Sequence, residues 1–272
     1  MTKKKVLVVD DSAFMRKMIS DILHQSSNLS VIATARNGED ALKKIAEHLP
    51  DVVTLDIEMP VKDGITTLKE IMVSHPTPVV MLSSLTKAGA DKTMEAMANG
   101  AVDFIAKPSG SISLDIEDIS TEIIQKVEAA AQVRVGGKPI RKKQDIGILK
   151  PLRSAKSIVL IGSSTGGPSA LQEVLTKLPK EFPAPIAIVQ HMPKGFTKSL
   201  AERLDRLSEI HVKEVSHLEE LKPGTAYIAP GGQHFLIEER QNTFIARVTD
   251  DQPVKGHKPS VNLLFNSAAE LT

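Results

Sequence analysis

The chain has 272 residues, no cysteine and a formal net charge of +1 at pH 7. This length exceeds that of most small domains, and each half is long enough to bury its own core, so we expect two domains. The lack of cysteine excludes disulfide frameworks and thiolate chemistry, and the near-neutral charge argues against a polybasic nucleic-acid binder. No apolar run reaches membrane-spanning length or forms a signal peptide, so we expect a cytoplasmic protein that is not an integral membrane protein.

In the N-terminal half, short β-branched runs alternate five times with amphipathic helical segments. This alternation is typical of parallel βα units. Right-handed crossovers fold such units into a doubly wound, flavodoxin-like sheet, which binds ligands beyond the carboxyl ends of its strands. The predicted strands, mostly continuous apolar runs as expected for a sheet covered on both faces, are Val6–Val9, Val31–Ala35, Val52–Asp56, Val79–Ser83 and Val102–Ala106.

Polar residues stand where these predicted strands end, namely Asp10 and Asp11, Asp56, Ser83 and Lys107. Because they share one rim, we expect three carboxylates to lie close together and to require a compensating charge. An all-oxygen site of this kind suits Mg²⁺, and Lys107 supplies a further positive charge. A carboxylate beside a hard cation can attack a phosphoryl group, and the central Asp56 is the predicted acceptor.

An alternative is that these terminal residues merely cap the helices that follow, as Asp and Ser often do. The joint pattern argues against it, because the sequence resembles the receiver domains of two-component response regulators. The motifs that carry the resemblance are Val9-Asp10-Asp11-Ser12, Leu55-Asp56-Ile57-Glu58-Met59-Pro60-Val61-Lys62-Asp63-Gly64, Val80-Met81-Leu82-Ser83-Ser84 and Phe104-Ile105-Ala106-Lys107-Pro108.

The resemblance implies a role for each matching position of the receiver. Asp56 is the implied phosphorylation site, and Ser83, Phe104 and Lys107 are the implied switch residues. The implied Mg²⁺ ligands are Asp10, Asp11, Asp56 and the backbone carbonyl of Glu58.

A segment of Gly, Pro and like charges follows the helical pattern Ile116–Ala131 and predicts an interdomain linker. We place the receiver domain at residues 1–130, the linker at 131–153 and a second domain at 154–272. The second domain is also predicted to be a parallel-sheet, Rossmann-like α/β unit. Its expected elements are a strand beginning at Ser157, helix Pro168–Leu178, strand Ile186–Gln190, helix Phe196–Ser208 and a hairpin around Gln241-Asn242.

The segment Gly162-Ser163-Ser164-Thr165-Gly166-Gly167 lies at a predicted strand-to-helix turn and satisfies Gly-x-Ser-x-Gly. This pattern lifts a serine hydroxyl clear of the sheet. The next strand ends at Gln190-His191, so Ser164 and His191 are predicted to leave neighbouring strand ends as a nucleophile and its general base. The amide groups at the following helix N-terminus could stabilise an oxyanion.

Other interpretations of this half stay open on the residues alone. A Gly-rich turn before a helix is as often a phosphate cradle, although the spacing here fits neither a dinucleotide fingerprint nor a Walker motif. A single histidine after a strand is more often structural than catalytic, and His234 and His257 are rival bases. The output domain could also be non-catalytic or bind DNA, but it shows no helix-turn-helix pattern and no basic recognition helix.

A second resemblance favours the hydrolase interpretation. The segments Ile161 to Pro168, Val189 to Pro193, Ile228 to His234 and Gly256 to Val261 resemble the methylesterase domain of the chemotaxis receptor-modifying enzyme, a family in which a receiver precedes this domain. The resemblance implies hydrolysis of glutamyl methyl esters and deamidation of glutamines on chemoreceptors. It implies Ser164 as nucleophile, His191 as base and the Thr165 N–H as oxyanion donor.

The same resemblance implies partners and regulation. A chemotaxis histidine kinase would phosphorylate Asp56, and phosphorylation would uncover a Ser164 cleft that the receiver otherwise blocks. We expect a monomer, no nucleic-acid partner and no cofactor for the hydrolysis itself. The family continues into a Gly-Met-Gly-x-Asp-Gly stretch whose aspartate orients the histidine, and this sequence stops at Glu270-Leu271-Thr272 before it. We therefore expect a truncated chain; Asp250 and Asp251 match by residue type only and are not assigned.

Overall fold

A computed structural model of the protein describes residues 2–107, 116–135 and 157–271. The chain divides into two compact units, Met1–Pro139 and Ile140–Thr272. The predicted linker, residues 131–153, falls mostly outside the described residues. Within the described ranges, no helix is long and apolar enough to cross a membrane.

The first unit is a parallel sheet of five strands in the order β2-β1-β3-β4-β5. This order confirms the predicted doubly wound, flavodoxin-like fold. Its elements are β1 (Lys4–Val9), α1 (Ala13–His24), β2 (Leu29–Ala35), α2 (Gly38–His48), β3 (Val52–Asp56), α3 (Gly64–Ser74), β4 (Val79–Ser83), α4 (Lys87–Ala98), β5 (Asp103–Ala106) and α5 (Ile116–Ala130).

The core of this unit forms because helices cover the sheet. Every residue of β3 and β4 is buried, as their continuous apolar sequences predict. On one face, α1 contributes Ile19 and Leu23 and α5 contributes Ile123 and Val127 to a single cluster of buried side chains. Burial of such side chains contributes about 1.5–3 kcal/mol each, so the cluster fixes where the strand ends lie.

The first four helices of this unit begin at capping side chains that are not the predicted site residues. Each cap accepts a hydrogen bond from the amide three residues on. The caps are Ser12 (3.4 Å to Met15 N), Asn37 (2.9 Å to Asp40 N), Asp63 (2.8 Å to Thr66 N) and Thr86 (3.0 Å to Gly89 N). The interpretation of Asp10 and Asp56 as helix caps is therefore wrong.

The second unit has a parallel sheet in the order β6-β7-β9-β8 and a separate antiparallel hairpin of β10 and β11. This confirms the predicted parallel-sheet α/β class. Its elements are β6 (Val159–Ser163), α6 (Gly167–Leu175), β7 (Ile186–Gln190), α7 (Phe196–Leu207), β8 (His211–Glu214), β9 (Thr225–Ile228), β10 (His234–Arg240), β11 (Thr243–Thr249) and α8 (Val261–Ala269).

The predicted hairpin turn is confirmed, since Gln241 and Asn242 have φ values of 48° and 66° between β10 and β11. Two positive φ values in a two-residue loop match the twist of the paired strands. The predicted helix Pro168–Leu178 ends earlier, at Leu175. There, Thr176 takes the C-cap position.

Helix α8 joins the hairpin to the sheet. The Ser267 hydroxyl accepts a hydrogen bond from Ile237 N on β10 at 3.0 Å, and Leu264 is fully buried. At the start of α8, Val261 packs closely on β6, because a Cβ added to Gly162 would lie 2.5 Å from Val261 Cγ1. The segment between β11 and α8 is thereby anchored at both ends.

Candidate functional site

The first candidate site lies at the carboxyl ends of β1, β3 and β5. Lys107 Nζ is 2.9 Å from Asp10 Oδ2 and 2.8 Å from Asp56 Oδ2. Both carboxylates are almost fully buried, with exposed fractions of 0% and 2%. Because one half-buried ammonium faces two buried carboxylates, a negative charge remains to attract a cation. The structure thus brings together the side chains that were predicted from their positions at the carboxyl ends of the strands.

The same rim fits a divalent cation. Asp10, Asp11 and Asp56 each offer a carboxylate oxygen, and these oxygens lie within 4.8 Å of one another. Three hard oxygen donors with an excess of negative charge suit Mg²⁺ rather than zinc. The Glu58 carboxylate points elsewhere, since it pairs with Lys92 of α4 at 2.7 Å. Its backbone carbonyl stays a predicted ligand.

Burial and charge oppose each other at Asp56 and Lys107. Burial raises the pKa of the Asp56 carboxyl to about 6, although the hydrogen bond and charge of Lys107 act in the other direction. Burial also disfavours the Lys107 ammonium, but its hydrogen bonds with Asp56 and Asp10 outweigh this effect and raise its pKa. Lys107 therefore stays cationic, and a bound divalent cation would favour the ionised form of Asp56.

Ser83 connects this rim to α4. The residue is buried and lines a small cavity of about 20 Å³ together with Asp56, Glu58 and Lys107. Its Oγ donates a hydrogen bond to Gly89 O at 3.2 Å and lies 2.7 Å from Thr93 Oγ1 on α4. A ligand on Asp56 that drew the Ser83 hydroxyl away would therefore break contacts to α4. Thr93 was not predicted, because an interior threonine of an amphipathic helix carries no local signal.

Phe104 lies inside the unit and is held by Lys126 of α5. Lys126 Nζ donates a hydrogen bond to Phe104 O at 2.7 Å and lies 4.9 Å from the centre of the Phe104 ring. A cation over an aromatic face is attracted to it by about 1–2 kcal/mol when partly desolvated. The rotamer of Phe104 is thus coupled to α5, through a lysine that the sequence pattern did not single out.

The second candidate site lies where β6 and β7 end. Ser163 and Gln190 are register partners on these parallel strands, so Ser164 and His191 are the first residues beyond the pair. The backbone confirms their proximity, since His191 N donates to Ser163 O at 3.0 Å. The two predicted residues thus leave neighbouring strand ends on the same rim.

Gln190 braces the turn that carries Ser164. Its amide accepts a hydrogen bond from Ser163 Oγ at 2.7 Å and donates to Ser164 O at 3.0 Å. Close packing of this amide requires a glycine at position 167, because a Cβ there would lie 1.8 Å from Gln190 Oε1. Gly166 has φ +74°, a conformation that glycine adopts without strain. Ser164 is exposed, and Thr165 precedes the N-terminus of α6.

The structure separates the two rival histidines. His234 is fully buried; its Nδ1 accepts from Ser260 N at 3.2 Å and its Nε2 lies 3.0 Å from Gln252 O. Both ring nitrogens therefore serve the backbone, which gives His234 a structural role. His257 is exposed and stacks on His191, with ring centroids 4.1 Å apart and planes 10° apart.

The two unassigned aspartates lie on the segment that follows β11. Asp250 is exposed and pairs with Lys258 at 2.6 Å. Hydrogen bonding and charge from Lys258 hold the pKa of the Asp250 carboxyl below its usual range. This carboxylate is thus engaged by Lys258, and nothing supports its assignment as the residue that orients His191.

The fold and both rims define a class of protein, a phospho-accepting receiver followed by a hydrolase-type α/β domain. The family described as response regulator receiver domain matches residues 6–116, and the family described as CheB methylesterase matches residues 159–272.

Relatives match over almost the whole chain. A protein-glutamate methylesterase/protein-glutamine glutaminase of Halalkalibacterium halodurans is 54% identical over 98% of this chain and 78% of its own length. One of the same name from Oceanobacillus iheyensis is 55% identical, with the same coverage. The solved response regulator domain of Thermotoga maritima CheB is 49% identical, and the match covers 49% of this chain and 99% of that one with a TM-score of 0.45.

The chain therefore belongs to the protein-glutamate methylesterase/protein-glutamine glutaminase family of hydrolases. This confirms the resemblance found in the sequence, and with it the assignment of the chain as an enzyme controlled by a receiver domain.

In metal-free buffer, Asp56→Asn is expected to raise the free energy of unfolding. This gain is expected to grow as the pH rises. The folded-state pKa of about 6 lies above the ordinary value of 3.8. The stability that the neutral Asp56 carboxyl contributes is therefore fully present below pH 3.8 and lost as the pH rises through about 6. The substitution removes this loss, which amounts to up to about 3 kcal/mol above the folded-state pKa.

Urea denaturation of both proteins in the presence of a chelator, at about pH 5 and about pH 8, measures the effect. The gain should be larger at the higher pH. Asp21→Asn is the matched control, because this carboxylate is exposed and pairs only at the surface with Lys17. A gain from Asp56→Asn that stays the same at both pH values would contradict the pKa shift.

Proposed function

We propose that residues 1–130 form a receiver that is phosphorylated on Asp56, and that residues 154–272 hydrolyse protein glutamyl esters and glutamine amides at Ser164. The observation that supports this proposal is the paired end of β6 and β7, since Ser164 and His191 are the residues that follow the register partners Ser163 and Gln190. The linker, residues 131–153, joins the two activities in one chain.

The receiver geometry supports phosphoryl transfer to Asp56. Its carboxylate oxygen attacks phosphorus, forming a P–O bond as the P–N bond of a phosphohistidine on a kinase breaks. Lys107 neutralises charge on the transferred oxygens, since its ammonium already lies 2.8 Å from Asp56. Asp10, Asp11, Asp56 and the Glu58 carbonyl would hold Mg²⁺, which shields the negative charges that meet at this step.

The consequence of phosphorylation is assigned to Ser83 and Phe104. The Ser83 hydroxyl faces the cavity that Asp56 also lines, so it can donate to a phosphoryl oxygen in place of Gly89 O. This exchange loosens the contacts between Ser83 and α4. Phe104 packs against Lys126 and would carry the change to α5. We propose that this response relieves inhibition of the hydrolase domain.

In the hydrolase domain, Ser164 and His191 would perform acyl transfer. His191 removes the Ser164 proton as Oγ attacks the γ-carbonyl carbon of a glutamyl side chain. The Thr165 N–H stabilises the resulting oxyanion. Collapse breaks the bond to the methoxy or amino group, which leaves as methanol or ammonia with the proton from His191. Water then attacks the acyl-serine, again with help from His191, and releases glutamate.

The exposure of the site supports a macromolecular substrate. Ser164 is exposed, so a glutamyl side chain presented on a protein surface can reach it. The proposed substrates are glutamyl methyl esters and glutamines on the cytoplasmic helices of chemoreceptors, and the proposed phosphodonor is the chemotaxis histidine kinase. We further propose that the protein is a cytoplasmic monomer that needs no cofactor for hydrolysis. A DNA-binding output is not supported, because residues 159–272 match the methylesterase family.

Ser164→Ala should lower ester hydrolysis by about 10³-fold or more, because no other group replaces the nucleophile. Phosphorylation of Asp56 by acetyl phosphate should be unchanged. Ser169→Ala is a matched control, since Ser169 is exposed in the first turn of α6. Release of methanol from methylated receptor membranes provides the assay. Basal hydrolysis equal to that of the unaltered protein would rule out Ser164 as nucleophile.

Asp56→Asn should abolish activation without lowering basal hydrolysis. In the unaltered protein, acetyl phosphate with Mg²⁺ is expected to raise hydrolysis roughly 5- to 150-fold, the usual range for coupling between two sites. The variant lacks the attacking carboxylate, so the rate should stay at the basal level under both conditions. Asp21→Asn on the receiver surface is the matched control and should still respond. Activation that survives in Asp56→Asn would place the phosphoryl group elsewhere.

A further inference from the structure

His257 stands beside a tight two-residue turn. Val254 and His257 exchange both backbone hydrogen bonds, each at 3.1 Å. Between them, Lys255 and Gly256 have φ values of 51° and 77°. Two consecutive positive φ values define a turn that fixes the direction of the flanking residues. The backbone that carries the His257 ring is thus held in place on both sides of the turn.

The base of this turn is clamped by His234 and Lys258. The buried His234 ring bonds Gln252 O on one side of the turn and Ser260 N on the other, at 3.0 and 3.2 Å. Lys258 Nζ donates to both Asp250 O and its carboxylate, at 3.0 and 2.6 Å. Because these bonds join the two arms of the segment, less conformational entropy is lost when His257 makes a contact.

The segment between β11 and α8, held by these hydrogen bonds, places the His257 ring flat against the His191 ring. The ring centroids are 4.1 Å apart and the planes differ by 10°. His191 is half-buried, and His257 covers one face of its ring from the exposed side. A tilt of the His191 ring out of this plane would break the stacking.

We infer that His257 is a positioning residue, which holds the His191 imidazole in the orientation that takes the proton from Ser164. This inference rests on the proposed function of Ser164 and His191. Those two residues leave paired strand ends, whereas His257 meets the face of the His191 ring. A histidine placed there acts on the orientation of the base and does not replace it. The segment between β11 and α8 is then part of the hydrolase machinery.

The test compares His257→Ala with His257→Phe in the full chain. The alanine variant removes the flat ring, so kcat for ester hydrolysis should fall roughly 10- to 100-fold, as small misplacements of catalytic groups do, while KM changes little. The phenylalanine variant keeps a flat ring without ring nitrogens and should recover most of kcat. His211→Ala is the matched control, because His211 is exposed on β8 and pairs with Asp205.

A second readout follows the reactivity of Ser164 itself. The rate at which a fluorophosphonate probe labels Ser164 depends on His191 and does not depend on how the glutamyl substrate binds. His257→Ala should slow labelling by the same factor as it lowers kcat, and His257→Phe should restore it. Melting temperatures of all variants show whether each is folded under the assay conditions.

Three results would overturn the inference. Unchanged kcat and labelling in His257→Ala would mean that the stacking has no role. A raised KM with unchanged labelling would make His257 a substrate contact. Equal loss in His257→Phe and His257→Ala, to the level of His191→Ala, would mean that a His257 nitrogen takes part in the chemistry. Failure of the proposed function is seen separately, as hydrolysis that persists in Ser164→Ala.

Discussion

Backbone hydrogen bonds between parallel strands bring the carboxyl ends of neighbouring strands to one edge of each sheet. In the first unit this edge collects Asp10, Asp56 and Lys107 from three strands. In the second it collects Ser164 and His191 from β6 and β7. Residues far apart in the chain thus become neighbours because the strands that carry them are paired. Both sites depend on the registers in which these strands pair.

Burial and charge determine which ligands the edge with Asp10, Asp56 and Lys107 can bind. Two carboxylates that are almost fully buried would be costly to ionise together, and Lys107 compensates only one of them. The remaining negative charge favours a divalent cation, and the raised pKa of Asp56 shows how strongly burial acts on this group. Ser83 lines the cavity beside Asp56 and is bonded to α4, whereas Phe104 on β5 is bonded to α5.

The sequence predicted the parts of both sites that follow from strand ends. Asp56 and His191 each stand at or just after an apolar run. Their positions at the carboxyl ends of parallel strands are therefore enough to locate them. Thr93 and Lys126 could not be found in this way, because each lies within an amphipathic helix and owes its role to a contact across the fold. The helix predicted to end at Leu178 ends at Leu175, where Thr176 takes the C-cap position.

His234 and His257 show more clearly what the sequence alone does not predict. His234 and His257 both occur in turn-rich segments with similar local sequence, and residue type alone made them equal candidates for a base. Tertiary hydrogen bonds decide between them, since His234 is buried with both nitrogens facing backbone atoms, whereas His257 reaches the ring of His191. A histidine that bonds the backbone and one that stacks on another histidine differ in contacts that no local pattern encodes.

The most direct test of the central claim is to identify the phosphorylated residue chemically. The protein is treated with acetyl phosphate and Mg²⁺, reduced with borohydride to convert the acyl phosphate to an alcohol, and digested for peptide mass spectrometry. The account predicts conversion of Asp56 to homoserine, with Asp10 and Asp11 unmodified. Reduction at Asp10 or Asp11, with Asp56 intact, would contradict it.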